Sequence, residues 1–364
     1  LHVAELLKSM LGLSELPEGL AARVAESSGG LPFFVEEILR DLLEGGQLAI
    51  LRGQGAAGSS DALGLSFDAS ASFLKRAARV SAEERQLLDV LAVCGRPAEP
   101  GVLRRVAALS ALAVQDALHV LTEKQMVVAV AGERERYNLA HDRMREALYS
   151  TLAEDARAKW HLQLARTFAQ ALDRDERGEK LFETVGHFDQ ALMLLSSDTP
   201  EGVRERSEVA RLHLRAALAT NAAGAFASGA QYLERARALL PERAFDYDYG
   251  LALSIEHALA STLIPLGRID EALATADRIV QNARSVLDEA PGWEARILAH
   301  TARNEYPKAI AAGLEICGRL DMPLPSSPTV VDIVWNIGHV LWKLRGRTDE
   351  DLVSLPRMTD ERAS

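Results

Sequence analysis

"MVVAVAGERERYNLAHDRMREALYSTL", residues 126–152, is the stretch where β-prone segments interrupt a helical pattern. Two β-prone segments, 126–130 and 136–140, flank a turn containing Gly132, the signature of a hairpin. A helix then opens at His141-Asp142. Upstream, Ser81 and Glu84 have the spacing of a capping box, and Leu87, Leu88, Leu91 and Cys94 form one helical face. "PGVLRRVAAL" is a second short helix, and Val114, Ala117, Leu118 and Leu121 mark a third. Three helices, a hairpin and a helix are the order of a winged-helix domain, expected over residues 71–155.

Downstream the periodicity is helical throughout. "GHFDQAL" (186–192) resembles "GRIDEAL" (267–273), with weaker copies at 227–233 and 304–310. Aligning them puts Ala191, Ala230, Ala272 and Ala309 in register, and recurrent small residues suit the close crossing of paired helices. The interval is longer than the ~34 residues of the tetratricopeptide repeat. The expectation over 156–345 is therefore an α-solenoid of tetratricopeptide-like helical pairs, followed by a tail, 346–364, in which Thr348 is placed to cap a helix. The predicted fold class is mainly α, with a winged-helix domain carrying a small β-hairpin and then this solenoid.

Toward the N-terminus, "SSGGLPFFVEEILRDLLEGGQL" (27–48) concentrates constrained residues at a helix entrance. Gly29 and Gly30 permit positive φ, Pro32 suits a first helical turn, and Glu36 and Glu37 oppose the helix dipole. Helix N-termini attract anions, so this entrance is read either as plain punctuation or as a ligand-facing edge. Residues 1–50 form short helices, and 51–70, rich in Gly and Ser, form a flexible linker.

Bulk properties narrow the function. Hydrophobic residues make up 48% but aromatics only 5%, which favours closely packed helices of Ala, Leu and Val over sheets. A net charge of −11 argues against broad electrostatic binding to nucleic acid or an anionic membrane. Cys94 and Cys317 lack metal-ligand spacing and read as buried thiols of a reducing compartment. With no long apolar run and no signal peptide, a cytoplasmic location is expected. The chain opens in mid-helix character, as a piece of a longer protein would.

The residues "SGGLPFFVEEILRDLLEGGQL", "VSAEERQLLDVLAVCGRP" and "YNLAHDRMREALYSTLAEDARAKWHLQLARTF" resemble the end of the nucleotide-binding module and the following winged helix of STAND-type signalling ATPases, relatives of AAA+ proteins. "AIAAGLEICGRLDMPLP" and "LRGRTDEDLVSLPRMTD" resemble one bacterial subgroup that joins a serine/threonine kinase, this ATPase and often a histidine-kinase tail. The resemblance implies that 1–50 are the C-terminal lid helices of an NTPase module. It further implies that Gly30, Leu31 and Pro32 line a site for ATP or ADP held mostly by a module upstream. In some relatives a winged-helix histidine touches the nucleotide β-phosphate, which singles out His141. No G-x-x-x-x-G-K-[ST] and no kinase motif set occurs in the chain, so catalysis by this segment alone is not expected.

The resulting expectation is a regulatory, partner-binding segment of a nucleotide-switched signal-transduction ATPase attached to a protein kinase. The helical repeats would take a protein partner or a small ligand, and oligomerisation on activation is left open. The alternatives are a transcription activator that binds DNA through the winged helix, and a scaffold adaptor indifferent to nucleotide. For DNA, the 110–125 helix offers Gln115, Asp116, His119, Glu123, Lys124 and Gln125, with Arg104 and Arg105 as the only local basic pair. The nine histidines lack i, i+3 or i, i+4 pairing, so no metal site is expected. "FDYDYG" (245–250) reads as an inter-helix turn with a partner-binding spot as the alternative.

Overall fold

The computed structural model describes residues 2–16, 19–30, 32, 34–36, 38–39, 69–132, 134–172 and 179–346. The expected linker up to residue 68, Leu31, Thr348 and the tail beyond Gly346 lie outside the described residues. Among the described residues the chain is mainly α with one two-stranded antiparallel hairpin, and it divides into two compact units, Leu1–Leu194 and Leu195–Ser364.

In the first unit, α1 (His2–Leu11) and α2 (Leu20–Ser28) bury Leu7, Leu11, Leu20 and Val24 together with Phe34, Val35, Ile38 and Leu39. Helices α3 (Ala69–Ala77), α4 (Ala82–Cys94), α5 (Pro100–Ala107) and α6 (Ala111–Glu123) precede β1 (Val127–Val130) and β2 (Arg136–Leu139), and α7 (Asp142–Thr151) follows. The expected faces are the buried ones: Leu87, Leu88 and Leu91 of α4, and Val114, Ala117, Leu118 and Leu121 of α6. Each buried leucine contributes roughly 1.5–3 kcal/mol. Val127 pairs with Leu139 and Val130 with Arg136, and Ala98 joins Tyr137 by two backbone bonds of 2.8 Å, tying the α4–α5 link to the hairpin. The capping box at α4 forms by half. Ser81 accepts from the Glu84 amide at 3.2 Å, but the Glu84 carboxylate takes the Lys124 ammonium at 2.7 Å, the stronger charge-assisted bond.

Helices α8 (Glu154–Ala169) and α9 (Glu179–Asp189) complete this unit, with Leu164 and Phe168 joining the core beneath α4–α7. "GHFDQAL" does not repeat "GRIDEAL" structurally. Gly186 lies inside α9, whereas Gly267 is a left-handed turn residue at φ 72°. The shared letters come from a common helical composition rather than a common position.

The second unit is built from helical pairs: α10 (Pro200–Ala222) with α11 (Phe226–Leu239), α13 (Tyr249–Leu263) with α14 (Ile269–Asn282), and α15 (Val286–Ala302) with α16 (Tyr306–Arg319). The one-turn helix α12 (Ala244–Tyr247) precedes α13, and α17 (Val330–Leu344) ends the unit. Each pair turns in the same way. A left-handed residue, Gly224, Gly267 or Asn304, is followed by one near φ −85°. The amide of the second residue then closes back on the helix: Ala225 to Thr220 at 2.9 Å, Arg268 to Leu263 at 3.1 Å, Glu305 to His300 at 2.9 Å. This is the Schellman closure, in which the left-handed residue satisfies carbonyls that a helix end leaves open. By this register Gly229, not Ala230, is the counterpart of Ala272 and Ala309, although Ala230, Ala272 and Ala309 are all buried.

Small residues matter where helices cross. A Cβ on Gly292 would lie 2.9 Å from the Ala276 carbonyl of α14, and one on Gly229 would displace Asn221, whose amide donates to Thr262 at 2.7 Å. α17 differs from the rest. Thr329 and Asp332 form a full capping box at its start, none of its residues is buried, and Trp335 and Trp342 are exposed.

Two histidines meet inside the first unit. His161 and His187, both buried, approach Nδ1 to Nδ1 at 2.8 Å, and Tyr149 lies 3.2 Å from His161 Nε2. Burial lowers His161 from 6.5 to about 4 and His187 to about 3; the neighbouring Arg157 and the pair's own repulsion add to this. In the second unit burial lowers His213 to about 4. The unfolded chain therefore binds protons that the folded chain refuses, and stability falls as pH drops from about 6.5 toward about 4.

Two predictions follow from this packing. Gly292→Ala lowers the urea-unfolding free energy by ~1–3 kcal/mol through overpacking. Gly313→Ala, mid-helix in α16 with only an ordinary 3.8 Å contact to Ile297, raises it by ~0.5–1 kcal/mol; equal effects of the two would refute the crossing geometry. Wild-type stability measured at pH 7 and pH 4.5 differs by at least ~2 kcal/mol. The His161→Gln/His187→Gln variant loses most of that difference, and an unchanged pH slope would show that the pair stays neutral in neither state.

Candidate functional site

The "SSGG" stretch has two jobs in the structure. Gly29, at φ 60°, ends α2, and the Gly30 amide closes on Ala25 O at 3.1 Å and approaches Ser28 Oγ at 3.2 Å. Gly30 is itself left-handed at φ 75°, and no atom would crowd a Cβ there, so conformation rather than space requires glycine. These amides are spent on capping α2. They are not free to hold an anion, which narrows the ligand-facing reading to shape and apolar contact. Pro32 is helical and exposed. Leu31, expected beside it, lies outside the described residues.

His141 stands where the hairpin hands over to α7. It is the N-cap residue, extended at φ −147°, and its ring makes no capping bond. Instead the ring lies against Phe34, with centroids 5.5 Å apart at 49°. Phe34 is almost wholly buried, two residues after Pro32. Within the first turn of α7, Arg143 places its guanidinium 5.4 Å from the Phe34 ring and donates from Nη1 to Ser27 O at 2.9 Å. A Cβ on Gly29 would meet that same guanidinium at 3.8 Å. The structure thus brings the turn of Gly30 and Pro32 and the helix start of His141 into one cluster, with Phe34 between them. A cation over an aromatic face contributes ~0.5–1 kcal/mol at an exposed site, and the charged hydrogen bond adds to it.

Sequence reasoning located His141 and Pro32 but missed Phe34 and Arg143 as their connection. Arg143 sits in the quoted "HDRMRE", two residues from His141, and carried no separate signal. His161 and His187 were also invisible, because they are 26 residues apart on different helices. Among the described residues no group of three or more His, Cys, Asp or Glu side chains could hold a metal ion. Cys94 is buried as expected, and Cys317 only half so.

The α6 surface that the DNA-binding alternative would use carries acids. Gln115, Asp116, His119 and Glu123 are exposed on α6, His119 lies 3.4 Å from Glu123, and Lys124 is engaged by Glu84. A cavity of about 470 Å³ opens between α5, α6 and the hairpin, lined by Arg104, Gln115, Glu135 and Tyr137 among others. "FDYDYG" spans the turn between α11 and α13, as expected, and contains most of α12. Residues 245–247 lie in α12, and Asp248 caps α13 by accepting from the Leu251 amide at 3.2 Å. Arg284 stacks 4.1 Å from the Tyr249 ring and donates to Phe245 O at 2.8 Å. No single described helix is long and apolar enough to cross a membrane.

A family model described as a domain of unknown function (DUF8739) matches residues 2–54. No curated protein matches the chain. Among solved structures, the chain is similar to a Signal Transduction ATPase with Numerous Domains (STAND) protein with a tetratricopeptide repeat sensor from Pyrococcus horikoshii. The identity is 13% and the TM-score 0.39, over 96% of this chain and 51% of that one. The chain therefore spans about half the length of that protein.

Proposed function

We propose that this chain is the regulatory arm of a nucleotide-switched signalling ATPase of the STAND kind, with the catalytic nucleotide module elsewhere in the parent protein. The observation that carries this reading is the Phe34–His141–Arg143 cluster, which fastens the turn after α2 to the first residues of α7. ATP or ADP against Pro32 would favour one packing of that turn. The cluster passes the preference to α7, because a ligand shifts an equilibrium only through its different affinity for the two states. Gly30 shapes the turn, Pro32 supplies the contact surface, and His141 stands where a phosphate at the start of α7 would lie. The helical pairs of the second unit take a protein partner or small ligand that biases the same equilibrium. The output in the parent protein is kinase activity.

The DNA-binding alternative has less support. The exposed face of α6 carries Asp116 and Glu123, and Lys124, just past its end, is paired with Glu84, which leaves Arg104 and Arg105 of α5 as the exposed cations nearby.

The test is a titration of the full-length parent protein with fluorescent ATP and ADP, repeated with His141→Ala, Arg143→Ala and the distant surface control Lys159→Ala. The expected result is a ~3–10-fold change in the ratio of ATP to ADP affinity for His141→Ala and Arg143→Ala, with Lys159→Ala unchanged. If all three match wild type, the coupling role of the cluster is wrong.

A further inference from the structure

One helix of the second unit carries far more apolar surface than it packs away. None of the residues of α17 is buried, and Trp335 and Trp342 are 75% and 70% exposed. Its polar side chains fall on one line: Asp332, Asn336, His339 and Lys343 recur at i, i+4, i+7 and i+11, which stacks them on one face of a helix. Every other residue of α17 except Gly338 is Val, Ile, Leu or Trp. A helix apolar around most of its circumference belongs in a packed environment. Beside the polar line, Val331, Val334, Trp335, Gly338 and Trp342 border a groove of about 590 Å³. No atom would crowd a Cβ on Gly338, so this glycine forms a notch between two projecting indoles.

The sequence that follows α17 is poorly suited to cover it. In the three helical pairs a small residue, Gly229, Ala272 or Ala309, stands five positions after the left-handed one. After the left-handed Gly346 that position is Asp351, within the acidic run Asp349-Glu350-Asp351, and Pro356 comes five residues later. A carboxylate at the crossing would have to be desolvated.

A second copy of α17 fits better. The helix carries its acid near the N-terminus and its base near the C-terminus, and the midpoint between Asp332 and Lys343 falls at Ile337–Gly338. Antiparallel pairing about a two-fold axis at that midpoint sets Asp332 of each copy level with Lys343 of the other, and Asn336 level with His339. Both capping-box bonds to Asp332 fall on its Oδ2, so Oδ1 can face the second copy's ammonium. Trp335 comes level with the Gly338–Leu341 turn of the other helix, so each copy offers both a knob and a notch, as a self-complementary interface requires. The two helix dipoles then oppose each other, with an acid at each positive end and a base at each negative end. Parallel pairing would set lysine beside lysine and acid beside acid.

We infer that α17 is a homodimerisation helix, whose face of Val331, Trp335, Gly338 and Trp342 packs antiparallel on the same face of a second copy of this chain. At ~1.5 Å per residue the helix is ~22 Å long, so one pair buries on the order of 1,000 Å² in total, the low end of specific interfaces. The dimer is therefore concentration-dependent, with a dissociation constant of roughly 1–100 µM.

The test is sedimentation velocity of the chain from ~1 to ~500 µM, a range that brackets this constant. A reversible monomer–dimer equilibrium is expected. Trp335→Glu and Lys343→Glu weaken it at least ~10-fold, and Met193→Glu, at an exposed methionine of the first unit, leaves it unchanged. Because α17 adds nothing to a core, these variants keep the fold, which far-UV circular dichroism checks. Orientation is read by cysteine crosslinking in a Cys317→Ser background. Gly338→Cys, beside the axis, forms an intermolecular disulfide, and Val331→Cys, two turns away on the same face, does not. A monomer at every concentration, a dimer indifferent to Trp335→Glu, or equal crosslinking of the two cysteine variants overturns the inference. So does a dimer that appears only on truncation after Gly346, which would make the tail the occupant of this face. Binding of a monomeric chain to phosphatidylcholine vesicles would overturn it in favour of a lipid surface.

Discussion

The second unit depends on one backbone closure repeated three times: a left-handed residue at a helix end, then an amide returning to the carbonyl five residues before it. The closure satisfies carbonyls that would otherwise be stranded, and it fixes the angle at which the next helix departs. Once that angle is set, the partner helices must approach closely, and side-chain volume at the crossing decides whether they can. This is why Gly229, Ala272, Gly292 and Ala309 are small. Asn304 fills the left-handed position in the third turn, where the other two use glycine. Asparagine tolerates that conformation better than most residues with a Cβ.

The same closure appears at the end of α2, where Gly29 and Gly30 take it up. There it has a further effect. By turning the chain sharply it presents Pro32 to solvent and delivers Phe34 beneath His141 and Arg143. Helix termination and the proposed coupling path therefore rest on the same two residues, and neither glycine amide remains to bind a phosphate. The two units use one local device for different ends: regular stacking in one, and contact between distant segments in the other.

Much of the architecture was legible in the residues. The apolar spacing in α4 and α6 announced their buried faces, and the alternation around Gly132 announced the only hairpin among the described residues. Repeated turns could be read in "GRIDEAL" and "NEYPKAI" because the left-handed residue and the small residue five positions later are both local signals. "GHFDQAL" misled for the same reason: its glycine sits in a helix, and composition alone does not tell a helical glycine from a turning one. The capping box at Ser81 was half right, since no local pattern shows that Lys124, 40 residues away, would claim the Glu84 carboxylate. Of the candidate site, the individual residues were legible and their connection was not. Phe34 and His141 are joined by tertiary packing, and so are His161 and His187. Long-range pairing of polar and aromatic side chains has no sequence period.

The uniform hinge between paired helices has a consequence for the array. Because each turn spans the same few backbone torsions and is closed by main-chain atoms, a whole helix pair behaves as a cassette. The links between cassettes are not alike, one holding α12 and the other only residues 283–285, so the closure fixes the inside of a pair while the link sets its spacing from the next.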